Sequence, residues 1–166
     1  VNVPLLYPDI DKHIRVIIEE GVRIVFTSAG NPKTWTGVLK ERGITVVHVV
    51  SSSKFARKAE EAGCDAVVAE GFEAGGHNGR EETTTMVLIP AVVGAVTIPV
   101  IAAGGIATGR QMLAAMVMGA EAVQMGSRFI ASEEASSHIA FKNAVIESQE
   151  GATVLTMKQL TPVRLM

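Results

Sequence analysis

Two stretches decide the architecture of this chain: Ile98-Pro99-Val100-Ile101-Ala102-Ala103-Gly104-Gly105-Ile106 and, one helix later, Ala122-Val123-Gln124-Met125-Gly126-Ser127. Each is an apolar run that stops at glycine. Runs without polar alternation mark strands buried on both faces, hence a parallel sheet covered by helices. In a doubly wound sheet the glycine-rich phosphate turn follows the first strand, but nothing glycine-rich follows Val1-Asn2-Val3-Pro4-Leu5-Leu6. A (β/α)8 TIM barrel commonly carries its phosphate site after strands 7 and 8. These stretches therefore read as strands 7 and 8. The fold class expected is α/β, a fragment of a (β/α)8 barrel with about six βα units (strands 3–8) and the first two strands absent. Complete barrels run to about 250 residues against 166 here. A small flavodoxin-like domain is the competing architecture, and the late glycine pairs argue against it.

Working outward, glycines recur where helices should end, at Gly21, Gly43, Gly63, Gly94 and Gly119, spaced by 22, 20, 31 and 25 residues. That quasi-period is about one βα unit. Strands are expected at 1–6, 22–27, 44–50, 65–70, 98–103 and 121–125. Pro8-Asp9 opens a helix with Ile10, Ile14 and Ile17 on one face. Asn31-Pro32 is an N-cap with proline at N1, and Trp35, Val38 and Leu39 are expected to face inward. Ser52 or Ser53 caps a run carrying Phe55, Ala56, Ala59 and Ala62. Pro90 is expected in the first turn of a helix through Val96. Thr108 and Gln111 have capping-box spacing ahead of Met112, Ala115 and Met116. A last helix is expected over 136–147, and 150–166 carries no clear pattern. The whole chain, 1–166, reads as one domain.

Composition bounds the function. Hydrophobic residues make up 48% and charged ones 19%, enough apolar material for a core. Fifteen basic against seventeen acidic residues, net −2, leave no electrostatic footprint for nucleic acid or an anionic membrane. The single cysteine, Cys64, fits a reducing, cytoplasmic compartment.

The longest unit, Gly63 to Gly94, holds its excess in one loop, Glu70-Gly71-Phe72-Glu73-Ala74-Gly75-Gly76-His77-Asn78-Gly79-Arg80-Glu81-Glu82. In a barrel the loops after strands line the active-site face. Glycines around His77 let backbone N–H groups approach an anion or a flat ring, and an imidazole there can bind an anionic group or move a proton. Glu70 is expected to point into the barrel mouth. It either binds a ligand hydroxyl or N–H, or accepts loop amides. Gly104 and Gly105 ahead of the Thr108 cap offer an anion cradle, and Gly126-Ser127-Arg128 adds a second set of donors. Cys64 lies at the opposite end of its strand without an activating base. His13 reads as a surface residue, and His48 either lines the barrel interior or is a hydrogen-bonded core histidine. Met112, Met116 and Met118 read as packing residues. No cluster has metal-ligand spacing.

Val67-Val68-Ala69-Glu70-Gly71-Phe72-Glu73-Ala74-Gly75-Gly76-His77-Asn78-Gly79 resembles the signature of the nitronate monooxygenase/2-nitropropane dioxygenase superfamily. Within it the chain looks most like the flavin-dependent enoyl-acyl-carrier-protein reductases. Ile98 to Ile106, Gly119 to Phe129, Val1 to Leu6 and Thr27 to Pro32 match in order and spacing, so the resemblance covers essentially the whole chain. It implies a TIM barrel binding FMN, with NAD(P)H as cosubstrate. Asn2 and Ser28 would approach the flavin ring, and Glu70 and Ala74 would contact it, with Gly75 and Gly76 shaping the loop. Gly104, Gly105, Gln124, Gly126 and Ser127 would hold the ribityl chain and phosphate. His77 matches the family's active-site histidine. The implied reaction is reduction of an enoyl thioester carried by acyl carrier protein, as in bacterial-type fatty acid synthesis. The alternatives are nitronate oxidation with O2 and, from another class, an inactive barrel fragment or phosphate-binding module. The resemblance also implies a homodimer.

Overall fold

A computed structural model describes all residues, 1–166. In chain order the first elements are β1 (Asn2–Pro4), α1 (Ile10–Glu19), β2 (Ile24–Ser28), a 3-10 turn (Pro32–Thr34), α2 (Thr36–Glu41), β3 (Thr45–Val50) and α3 (Ser53–Glu61). Then follow β4 (Ala66–Glu70), β5 (Gly76–His77), α4 (Thr85–Val93), β6 (Val100–Ala103), α5 (Gly109–Val117) and β7 (Ala122–Gln124). The chain closes with α6 (Ser127–Ile130), α7 (Ile139–Glu147), β8 (Val154–Thr156) and β9 (Val163–Leu165). Six strands form one all-parallel sheet in the order β1-β2-β3-β4-β6-β7. This is the succession of βα units expected of a partial TIM barrel. Its edges, β1 and β7, pair with no further strand of this chain.

Strand parity assigns the two faces. Val25, Val46, Val50, Val67, Ala69 and Val100 cluster with Leu39, Ala56, Ala59, Leu88 and Val92 of the helices, so they form the helix-facing layer. Val47, Ala66, Val68 and Ala103 form a separate buried cluster with Phe26, Val49 and Ile101, which is the barrel interior. By the same alternation Ser28 and Glu70 are interior residues. His48 has the parity of Val46 and Val50. It lies on the helix-facing side rather than in the barrel interior, buried and bonded to Thr27.

Caps set the helix starts. The Asn31 side chain accepts from Lys33 N–H, Ser52 Oγ from Phe55 N–H, and Thr108 and Gln111 form the reciprocal capping box. α4 differs from expectation. It starts at Thr85, not Pro90, because the Glu73 carboxylate takes the Thr85 N–H at 2.9 Å and fixes the helix start there. Pro90 is then an interior residue that omits one helical bond to the exposed Met86. Val38, Phe55, Met112 and Met116 point outward rather than inward, and Leu39, Ala56, Ala59 and Ala115 take the buried positions. The first strand is also shorter than read, since Leu5 and Leu6 lie in a turn.

The 150–166 segment is a β-hairpin. β8 and β9 pair antiparallel, and β9 pairs in turn with β5, matching Gly76 to Arg164 and His77 to Val163. A second, three-stranded sheet thereby straps the glycine-rich loop.

Candidate active site

The C-terminal ends of the parallel strands carry the candidate residues. Asn2, Ser28, Glu70, Gly75 and His77 line one cavity of about 990 Å3, together with His48, Ser51, Asn78 and Thr161. Ala74, Gly76, Gly104, Gly105, Gln124, Gly126 and Ser127 do not line it. Ala74 and Gly76 sit in the loop after β4, beside the lining residues Gly75 and His77, and the other five form the second half of the same rim. Glu70 pairs with Ala103 across β4–β6, and Ala103 pairs with Gln124 across β6–β7. Gly104 and Gly126 follow those positions directly or nearly so. The cavity covers the β1–β4 half, and the two glycine turns occupy the β6–β7 half.

The turn after β6 differs in detail from an open anion cradle. Gln111 Oε1 accepts from the N–H groups of Ala107 and Thr108, at 2.9 and 3.0 Å, so those donors are occupied. The N–H groups of Gly104, Gly105 and Gly126 make no backbone bond and remain available. Gly104 has φ +102, a conformation that favours glycine, and its carbonyl lies 2.9 Å from Thr85 Oγ1. Thr85, Glu73 and Gly71 form a knot that ties the loop after β4 to the turn after β6. Sequence reading missed this knot; Glu73 ten residues before a Thr-Thr-Thr run was its only signal.

Nothing in the protein donates to the Glu70 carboxyl, and burial pushes it up to about 7. His48 Nδ1 lies 2.7 Å from Thr27 Oγ1, and burial pulls the imidazole down to about 4. The two groups tilt stability in opposite directions. A protonated Glu70 is favoured in the fold, so stability falls as pH rises from about 4.5 past about 7. A neutral His48 is favoured, so stability falls as pH drops from about 6.5 toward about 4. The two windows overlap between about pH 4.5 and 6.5, where the slopes oppose one another. In the full-length protein Glu70→Gln is expected to remove the falling slope, so that stability measured by urea unfolding rises with pH across that window relative to wild type. A variant whose stability runs parallel to wild type from about pH 4.5 to 7 removes Glu70 as the source.

His77 is exposed at the rim, and the C-terminal strap sets its backbone. Arg164 crosses to Phe72, its guanidinium 5.2 Å from the ring centroid and its Nε donating to the Phe72 carbonyl at 3.3 Å. Asn78 N–H donates to Pro162 O at 2.9 Å, and Arg80 donates to Leu160 O at 2.9 Å. Lys158 pairs with Glu82 at 3.1 Å. Five contacts from one distant segment therefore hold the loop that presents the imidazole. Cys64 sits away from this rim, buried beside Thr36, and burial raises its thiol pKa.

A family model described as nitronate monooxygenase matches residues 2–166. The chain belongs to that family. A probable nitronate monooxygenase of Staphylococcus saprophyticus is 42% identical over 153 residues, covering 86% of this chain and 43% of that protein. FabK from Thermotoga maritima superposes with a TM-score of 0.95 at 49% identity, over 100% of this chain and 53% of that one. A nitroalkane oxidase from Streptomyces ansochromogenes superposes with a TM-score of 0.81 at 31% identity, over 93% and 48%. The chain thus spans about half the length of the relatives it matches. No helix is long and apolar enough to cross a membrane.

Proposed function

We propose that this chain forms the flavin-holding part of an FMN-dependent oxidoreductase that uses NAD(P)H to reduce the C2–C3 double bond of an enoyl thioester. The observation that carries the reading is 49% identity to FabK across the whole chain, higher than to either other relative described. The residues fit an FMN. Available amides at Gly104, Gly105 and Gly126 suit a phosphate held by neutral donors, and the cavity over β1–β4 has room for a flat ring system. When bound, FMN supplies the hydride chemistry, and the protein supplies position and electronics. Asn2 and Ser28, which line the cavity from neighbouring strands, would hold the ring. Glu70, carrying its proton up to about pH 7, presents a donor from the cavity wall. His77 binds the substrate and organises the proton that completes the reduction. The partner expected from this reading is a second copy of the chain, with acyl-carrier-protein-bound substrate.

A second reading, nitronate oxidation with O2, draws support from the family description and the 42% relative. There His77 would act as base on a neutral nitroalkane, taking the proton from the carbon beside the nitro group to give the nitronate that is oxidised. An anaerobic titration of the full-length protein separates the two. Bleaching of flavin absorbance by NADPH and its recovery on crotonyl thioester supports the reductase. Flavin reduced by a nitronate and not by NADPH transfers the assignment to nitronate oxidation.

A further inference from the structure

The loop that carries His77 also carries a buried polar atom without a partner. Asn78 is 9% exposed, and its Oδ1 is the one buried side-chain N or O atom with no hydrogen bond. The orientation of the carboxamide is fixed chemically. Nδ2 lies 2.9 Å from Ala74 O, and a carbonyl oxygen only accepts, so the nitrogen must face Ala74 and the oxygen must face away. The backbone is fixed as well, since Asn78 N–H donates to Pro162 O on the strap at 2.9 Å. The chain therefore spends two hydrogen bonds to hold an acceptor that it does not itself satisfy, in a residue lining the cavity beside His77. Buried acceptors in native proteins are satisfied with few exceptions, and an unsatisfied one points to a group from outside the chain.

We propose that Asn78 is a ligand-binding residue whose Oδ1 accepts a hydrogen bond from an N–H or O–H group of the molecule that fills the cavity, setting its position against His77. The inference rests on the flavoenzyme reading for the identity of that molecule. Two sources carry such donors: the flavin itself, through its ring N–H or ribityl hydroxyls, and a thioester substrate, through the amide N–H groups of its pantetheine arm.

The test uses full-length protein, wild type and the Asn78→Leu and Asn78→Asp variants. One arm measures FMN affinity by fluorescence quenching on the apoprotein. The other measures KM and kcat for crotonyl pantetheine thioester at saturating FMN. Asn78→Leu keeps the volume and removes the acceptor. It is expected to lose about five- to tenfold, the loss of one neutral hydrogen bond, in the FMN arm if the flavin is the donor and in KM if the substrate is. A protonated aspartate reproduces the native pattern, its O–H donating to Ala74 O and its C=O accepting. Asn78→Asp is therefore expected to approach wild-type affinity near pH 5.5 and to weaken by pH 8, whereas Asn78→Leu stays weak at both. A residue that merely anchors the loop would not give that pH-dependent rescue.

Retention of both FMN affinity and KM within twofold by Asn78→Leu overturns the proposal. So does equal loss in both variants at every pH. Wild-type protein that binds FMN but reduces no crotonyl thioester overturns the reductase reading alone, and the FMN arm still decides the role of Asn78. Wild-type protein that binds neither probe overturns both.

Discussion

Replacing His77 with alanine in the full-length protein is expected to lower turnover by at least about a hundredfold while leaving bound flavin in place. A positioned acid–base group contributes about a hundred- to ten-thousandfold, and His77 is the histidine whose side chain stands free on the cavity rim. His48 touches the same cavity but is buried and bonded to Thr27 on the helix-facing side of β3. His13 lies on the exposed face of α1. The effect should fall on kcat rather than on folding, because the backbone of β5 makes the contacts with β9 and survives the substitution. Steady-state kinetics beside a flavin spectrum measures this. Turnover within threefold of wild type would show that the proton comes from elsewhere.

The second large effect concerns stability. A Cβ on Gly71 would stand 2.0 Å from Thr85 Oγ1, 2.5 Å from Thr85 N and 2.6 Å from Thr85 Cα. Two of those atoms are backbone, at the start of a helix whose position Glu73 fixes. Gly71 cannot retreat either, since its N–H donates to Ala103 O at 2.9 Å. Gly71→Ala is therefore expected to destabilise by about 3 kcal/mol, the upper part of the range for overpacking a fixed core, or to prevent folding. Gly75→Ala, four residues on, meets nothing within 4 Å and is the control, expected to change stability by less than about 0.5 kcal/mol. Urea midpoints of the two variants make the comparison. Equal midpoints would mean that the knot of Gly71, Glu73 and Thr85 yields more than its geometry implies.

The parallel sheet was legible because its strands are uninterrupted Val- and Ile-rich runs closed by glycines at βα spacing. A local signal suffices where both faces of a strand are buried. The caps at Asn31, Ser52 and Thr108 were legible for the same reason, as side chains that satisfy amides two or three residues away. Glu70 was legible from its place at the end of a strand, which points it into the barrel mouth, whereas Asn2 and Ser28 came from the family resemblance alone. Strand parity, applied to Val46-Val47-His48-Val49-Val50, would have put His48 opposite Val47 and Val49. What stayed hidden was non-local. The start of α4 depends on Glu73, twelve residues upstream, and no pattern near Pro90 reports it. The hairpin at 154–165 consists of three-residue strands, too short to show alternation. Its partner β5 has two residues, both of glycine-loop character.

That hairpin also fixes an order of events. Phe72 and Arg164 are 92 residues apart, and Arg80 and Leu160 are 80 apart, whereas each parallel strand pairs with a neighbour about one βα unit away. Contacts so distant in sequence carry the largest loop-closure entropy in the molecule and form late. During synthesis, which adds about 5–20 residues per second, the His77 loop leaves the ribosome several seconds before the strand that will hold it. The nascent chain can assemble its sheet in that interval while the imidazole has no fixed place. Order at the rim therefore arrives only with residues 154–165.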